Sequence, residues 1–184
     1  MKKLYYTYND VHEAAVDISL QMYKDKYHPD YIVGLNRGGL PLALRLSHLL
    51  DVNMYALDVR LRDGDTGPES NLWMAEDAFG YVEIKDRDDT WSKSRSNPSL
   101  KKNILIVDDI NDTGATFEWI KQDWQSGCCP DNVEWTKFIW GNNVRFATMC
   151  EKVHTDFDGV HYNWQTIDTS EQDTWVVFPW EIDK

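Results

Sequence analysis

"ILIVDDINDTGAT", residues 104–116, decides how the rest of the chain is read. Four consecutive apolar residues at 104–107 predict a buried strand. Asp108 and Asp109 follow at once, then Asp112, then Thr113, Gly114, Ala115 and Thr116. Open parallel sheets bind ligands beyond the carboxyl ends of their strands, where these acids would stand. Backbone N–H groups of the T-G-A-T turn, with the hydroxyls of Thr113 and Thr116, can ring a phosphate at a helix N-terminus. The triphosphate loop G-x-x-x-x-G-K-[ST] is absent, and no lysine stands in the turn. Carboxylates beside a phosphate make sense only if they hold another part of the same ligand. Sugar hydroxyls and a magnesium ion are the obvious candidates.

Outward from this stretch, strand and helix patterns alternate. A helix is expected from Asp10, with Glu13 completing a capping box and Val11, Ala14, Ala15, Ile18 and Met22 at helical spacing. "DYIVGL" reads as a strand, "NRGG" as a loop, and "LPLALRLSHLL" as a helix with Pro41 in its first turn. "VNMYALDVRL" reads as a strand, "ATFEWIKQDW" as a helix ended near Gly127 and Pro130, and "VEWTKFIW" as an alternating strand. "DGVHYN" and "TWVVF" are shorter strands. The repeated pattern predicts one α/β domain over residues 1–184, an open, mostly parallel sheet flanked by helices. Residues 61–102 lack periodicity and are rich in Asp, Gly, Ser and Pro, as expected of an inserted hood or flexible loop. Within that stretch "YVEIKD" could supply one strand of a hairpin. Trp73, Phe79 and Trp91 count against a wholly disordered insertion.

Composition narrows the function classes. The formal net charge of -12 disfavours nucleic acid and anionic membranes as partners. No apolar run approaches membrane-spanning length, and the two N-terminal lysines precede no apolar signal core. Three cysteines, two of them adjacent, make neither a disulfide framework nor a zinc site. A cytoplasmic protein is expected.

The sequence "VDDINDTGAT" resembles the phosphoribosyl pyrophosphate motif of type I phosphoribosyltransferases. "IVGLNRGGLPLA", residues 32–43, is similar to the pyrophosphate loop of that family, in the R-G-G form of bacterial and archaeal xanthine-guanine or hypoxanthine enzymes. "QDTWVVFPWE", residues 172–181, is similar to their C-terminal segment. The likeness spans residues 32–181. It implies a purine phosphoribosyltransferase that moves the 5-phosphoribosyl group from phosphoribosyl pyrophosphate to a purine base, with magnesium as the metal. Asp108 and Asp109 would then hold the ribose hydroxyls, with Asp109 reaching the metal and Glu181 near a second ion. Asp112 would handle the proton at N7 of the base, and Thr113, Gly114, Ala115 and Thr116 would wrap the 5′-phosphate. Asn36, Arg37, Gly38 and Gly39 would meet the pyrophosphate, around a non-proline cis peptide placed at Asn36–Arg37. Trp175 would stack on the base and the Val176 backbone would bond its edge. Purine relatives often carry a lysine that reads the 6-oxo group just after the strand that here reads "KFIW"; Trp140 and Gly141 stand in that place, so the identity of the base stays open. The family habit implies a homo-oligomer, a dimer or tetramer. The alternative is a non-catalytic nucleotide sensor or regulator that kept the fold and the ligand site.

Overall fold

The 104–107 run is a strand buried on both faces. The computed structural model describes residues 2–59, 71–83, 95–170 and 173–181. In chain order its elements are β1 (Lys2–Tyr5), α1 (Tyr8–Lys24), β2 (Tyr31–Asn36), α2 (Leu40–Leu50), β3 (Asn53–Asp58), α3 (Leu72–Phe79), β4 (Tyr81–Val82) and β5 (Arg95–Ser96). They continue with β6 (Ile104–Asn111), α4 (Ala115–Gly127), β7 (Val144–Lys152), β8 (Val160–Ile167) and β9 (Thr174–Val177). The main sheet runs β3-β2-β6-β7-β8, with every neighbouring pair parallel. The expected α/β architecture, an open parallel sheet flanked by helices, is what forms.

Strand β6 explains its own sequence. Leu105 and Val107 pack with Val11 and Ile18 of α1 and Leu42 and Leu46 of α2. Ile104 and Ile106 point the other way, into a cluster with Phe79 of α3 and Phe117 and Ile120 of α4. A strand covered on both faces has no polar side to alternate with, hence the continuous apolar run. From β2 the chain crosses through α2 to β3; from β6 it crosses through α4 to β7 on the other side. The two connections part between β2 and β6, and a crevice opens there at the carboxyl ends of both strands.

Local rules set the helix starts. Helix α1 begins two residues before Asp10: Thr7 is the cap, its side chain accepting from the Asp10 N–H, while the Asp10 carboxylate accepts the Thr7 N–H at 2.6 Å. The capping box is therefore Thr7 with Asp10, not Asp10 with Glu13. Helix α2 starts at Leu40 with Pro41 in its first turn.

"VEWTKFIW" is not a strand. Residues Trp135–Ile139 form one wide helical turn in which the Trp140 N–H reaches back to the Trp135 carbonyl at 3.0 Å. Trp135 and Ile139 are buried, with three exposed residues between them, a spacing that suits one face of a helix and no face of a strand. Asn132 Oδ1 accepts from the Glu134 N–H at 2.9 Å and starts the turn. The sheet strand is the next segment, β7.

Part of the 61–102 stretch lies among the described residues. Residues 71–83 and 95–102 carry α3 and the antiparallel pair of β4 with β5, which takes up the start of "YVEIKD". Met74, Ala75, Ala78 and Phe79 are fully buried in the second core cluster. Their run, capped by Gly80 at φ 65, supplies a helix to the sheet face. Trp91 and the remainder of the stretch lie outside the described residues. "TWVVF" is a strand, but β9 leaves the main sheet and pairs in parallel with β1, an N-terminal strand too short and exposed to show in the sequence. Among the described residues, no helix is long and apolar enough to cross a membrane.

Phe79 touches Trp135 with ring centroids 5.5 Å apart and is wholly buried. Phe79→Ala is expected to lower the unfolding free energy by about 3–5 kcal/mol, measured by urea denaturation. A loss under about 1 kcal/mol would place α3 outside the core.

Candidate active site

The crevice between β2 and β6 collects most of the residues singled out from sequence. At the end of β2 the Asn36–Arg37 peptide is cis, and the loop closes with the Gly39 N–H on the Leu35 carbonyl at 3.0 Å and the Leu40 N–H on the Arg37 carbonyl at 3.2 Å. Asn36 and Arg37 are exposed. A Cβ on Gly38 would collide with the Asp109 carboxylate, and one on Gly39 with the Val107 carbonyl. Glycine is what lets this loop lie directly on the end of β6. The structure thus joins the R-G-G loop to the acid pair, 70 residues apart in sequence.

Asp108 and Asp109 end the apolar part of β6, half-buried by surface area but deep enough in protein for their carboxyl groups to lose most of their hydration. Burial pushes the Asp108 carboxyl well above the usual range, and the neighbouring Asp109 adds to the shift. Burial likewise pushes Asp109 up, to about 6, with the Glu181 charge adding to the rise. The Asp109 N–H donates to Asp108 Oδ1 at 2.9 Å. Among the described residues no cation pairs with either acid. A divalent ion would relieve both. No group of three or more metal-ligating side chains occurs among the described residues.

The charge of Glu181, on the C-terminal segment, is felt at Asp109. Glu181 Oε2 accepts from the Phe178 N–H at 2.8 Å and the Glu181 N–H donates to the Phe178 carbonyl at 3.0 Å, a tight turn stiffened by the stacked rings of Phe178 and Trp180. Tyr6 ties this segment down, its N–H on the Val177 carbonyl at 2.9 Å and its hydroxyl on Gln165 at 2.8 Å. On β9, Trp175 is 54% exposed while Val176 is buried. Ile110, on β6 just past the acids, packs against the same cluster as Val176, a contact no motif marks.

Beyond Ile110 the chain turns into α4. Gly114 has φ +85, and a Cβ there would collide with Phe157. Thr113 Oγ1 accepts from the Ala115 N–H at 3.4 Å. The helix start leaves first-turn N–H groups without intrahelical acceptors, an anion site in waiting beside Thr113 and Thr116. Asp112 is exposed and pairs with Lys152 Nζ at 2.7 Å. Lys152 is the residue that the sequence reading missed. It ends β7, the strand displaced by the misreading of "VEWTKFIW". Trp140 is instead packed among Trp124, Trp135 and Phe146. The signal was the apolar run "FATMC" followed by Glu151 and Lys152.

The acid pair makes a pH prediction. Folded Asp109 keeps its proton to about pH 6, against 3.8 for the ordinary group. Between those values the folded state binds more protons than the unfolded one, so stability falls as pH rises through the window. Asp109→Asn is therefore expected to melt higher than the parent at pH 7, with the gain shrinking toward pH 4. A pH-independent difference in melting temperature would show that Asp109 is not the titrating group.

A family model described as "Phosphoribosyl transferase domain" matches residues 5–183. A hypoxanthine-guanine phosphoribosyltransferase of Schizosaccharomyces pombe is 22% identical over 199 aligned residues, covering 97% of this chain and 89% of the relative. The crystal structure of a purine phosphoribosyltransferase from Pyrococcus horikoshii superposes with a TM-score of 0.62 at 26% identity, over 100% of this chain and 97% of that one. A xanthine-guanine-hypoxanthine phosphoribosyltransferase of Helicobacter pylori shares the fold at a TM-score of 0.57 and 16% identity, over 98% and 94% of the two chains. With its R-G-G loop laid against the acid pair and a T-G-A-T turn opening α4, this chain belongs to the phosphoribosyltransferase family.

Proposed function

We propose that this chain transfers the 5-phosphoribosyl group of phosphoribosyl pyrophosphate to a purine base bearing a 6-oxo group, giving a nucleoside monophosphate and pyrophosphate. The observation that carries the reading is the Lys152–Asp112 pair at the carboxyl end of β7, beside the crevice built by β2 and β6. A lysine after this strand is the family's 6-oxo reader, and an ammonium donor suits a carbonyl oxygen.

Each residue then has a task. Thr113, Gly114, Ala115 and Thr116 receive the 5′-phosphate, whose charge the start of α4 favours. Asp108 and Asp109 accept from the ribose 2′ and 3′ hydroxyls. Arg37, with the Arg37 and Gly38 N–H groups of the loop, takes the departing diphosphate and stabilises the further charge it gains as the bond to C1 breaks. Trp175 covers the face of the base, the Val176 backbone bonds its edge, and Lys152 donates to its 6-oxo oxygen. Asp112 accepts the proton shed at N7 as N9 of the base attacks C1 of the ribose and the C1–diphosphate bond breaks. Magnesium, when held at Asp109 with a second ion near Glu181, would supply further positive charge to the diphosphate.

The cellular setting follows from the same residues. Cys128, Cys129 and Cys150 are all free thiols, which suits the cytoplasm. The net charge of -12 leaves small anions to a local pocket and disfavours nucleic acid. A homo-oligomer, a dimer or tetramer, is the assembly expected of the family.

The test is pyrophosphate release from phosphoribosyl pyrophosphate and magnesium with guanine, xanthine, hypoxanthine, adenine and orotate offered separately. Turnover is expected with at least one 6-oxopurine, and turnover with adenine or orotate alone would overturn the assignment. Asp112→Asn should keep phosphoribosyl pyrophosphate affinity and lower turnover by roughly 100-fold. Lys152→Met should lower kcat/KM for the 6-oxopurine by about 10–100-fold, the loss of one charge-assisted hydrogen bond. Equal losses for adenine and for the 6-oxopurine would show that Lys152 does not read the 6-oxo group.

A further inference from the structure

We propose that Asn111 is a positioning residue that holds the 153–158 loop under the phosphate turn and so sets the affinity for phosphoribosyl pyrophosphate. This rests on the function proposed above. The motif leaves position 111 unspecified, between the acid pair and Asp112.

Asn111 closes β6 and is 1% exposed, in a strand whose other buried residues are apolar. A buried amide must find partners for two donors and a carbonyl. This one does. Its Nδ2 donates to Glu151 Oε1 at 3.0 Å and to the Phe157 carbonyl at 3.1 Å, and its Oδ1 accepts from Thr155 Oγ1 at 3.2 Å. Thr155 Oγ1 in turn accepts from the Phe157 N–H at 3.3 Å. One side chain therefore fixes both the strand partner, in register at Glu151, and two points of the loop after β7.

That loop is the floor of the phosphate turn. The Asp156 N–H donates to the Thr113 carbonyl at 3.4 Å. Phe157 occupies the space that a side chain on Gly114 would need, and its ring is wedged against Phe117 of α4 and Phe146 of β7 at 5.4 and 5.2 Å between centroids. Thr113 and Gly114 cannot shift outward without losing the first contact, nor inward without striking the second. Asn111 keeps the wedge in place. It touches no ligand in the proposed reaction; it acts through Thr113 and Gly114.

The test compares Asn111→Leu and Asn111→Asp with the wild-type chain. The first removes every polar contact; the second keeps the shape and the acceptor but sets a carboxylate against Glu151. Both should raise KM for phosphoribosyl pyrophosphate at least about 10-fold with kcat changed by less than about threefold. Adding Glu151→Gln to Asn111→Asp restores a donor and should recover at least about threefold of the KM loss. Hydrogen exchange should quicken in residues 112–116 and 153–158 of both single variants and stay unchanged in α1. Should Asn111→Leu fail to fold, Thr155→Val removes only the Thr155 hydroxyl, with its bonds to Asn111 and to the Phe157 N–H, and should raise the same KM by about threefold. An unchanged KM, or a KM that rises while kcat and melting temperature fall with it and none is rescued by Glu151→Gln, overturns the proposal. If the wild-type chain turns over no base, the proposed function fails, and the exchange measurement still decides whether Asn111 holds the turn.

Discussion

Two carboxyl groups buried side by side at the end of a fully buried strand constrain everything around them. Burial alone pushes both Asp108 and Asp109 toward their neutral forms, and no cation among the described residues offsets it. Such a pair destabilises the free fold at neutral pH, so its position must be fixed by the backbone and not by its own interactions. The backbone fixes it twice over. Strand β6 is paired on both sides, and Gly38 and Gly39 bring the β2 loop against it. Each device uses main chain or glycine where a side chain would intrude.

The same crowding explains why the two loops form one site. A parallel sheet whose crossovers part between β2 and β6 leaves the carboxyl ends of these two strands uncovered by a connection. β1 pairs with β9, and Val176 of β9 shares a cluster with Ile110 of β6. Tyr6 bonds both Val177 and Gln165, so the segment bearing Trp175 and Glu181 is anchored to the main sheet at β8. Packing of Phe178 and Trp180 into the first core cluster makes that anchorage part of the hydrophobic core.

What was legible in sequence was whatever carries a periodicity or a chemically odd spacing. β6 declared itself by an apolar run that only a two-sided burial demands, and the R-G-G loop by glycines set ahead of a proline-started helix. The wide turn at Trp135–Ile139 was misread because "VEWTKFIW" scatters apolar residues densely enough to fit either period. That error hid Lys152, since a residue defined by its place after a strand is lost when the strand is misplaced. α3 was hidden because its eight residues are apolar nearly all round, with no polar stripe to reveal a helical period. β1 was hidden because four half-exposed residues become a strand only when β9 arrives beside them. Asn111 was passed over because a motif reports which positions recur and is silent on what supports them.

The site so built has two ends of opposite character. At the acid end, charge is buried, and a ligand that brings a cation and hydroxyl donors relieves a strain already present in the fold. At the other end, Asp112 and Lys152 pair where the aspartate side chain is 53% exposed and the lysine 20%. An ion pair so exposed contributes only about 0–1 kcal/mol. A ligand can therefore take over either partner at little loss, whereas no ligand could cheaply displace a buried pair. On the proposed reading the first end receives the sugar phosphate and the second the base. The fold then holds the common substrate in a rigid, strained cradle and leaves the discriminating contact to two side chains free to exchange partners.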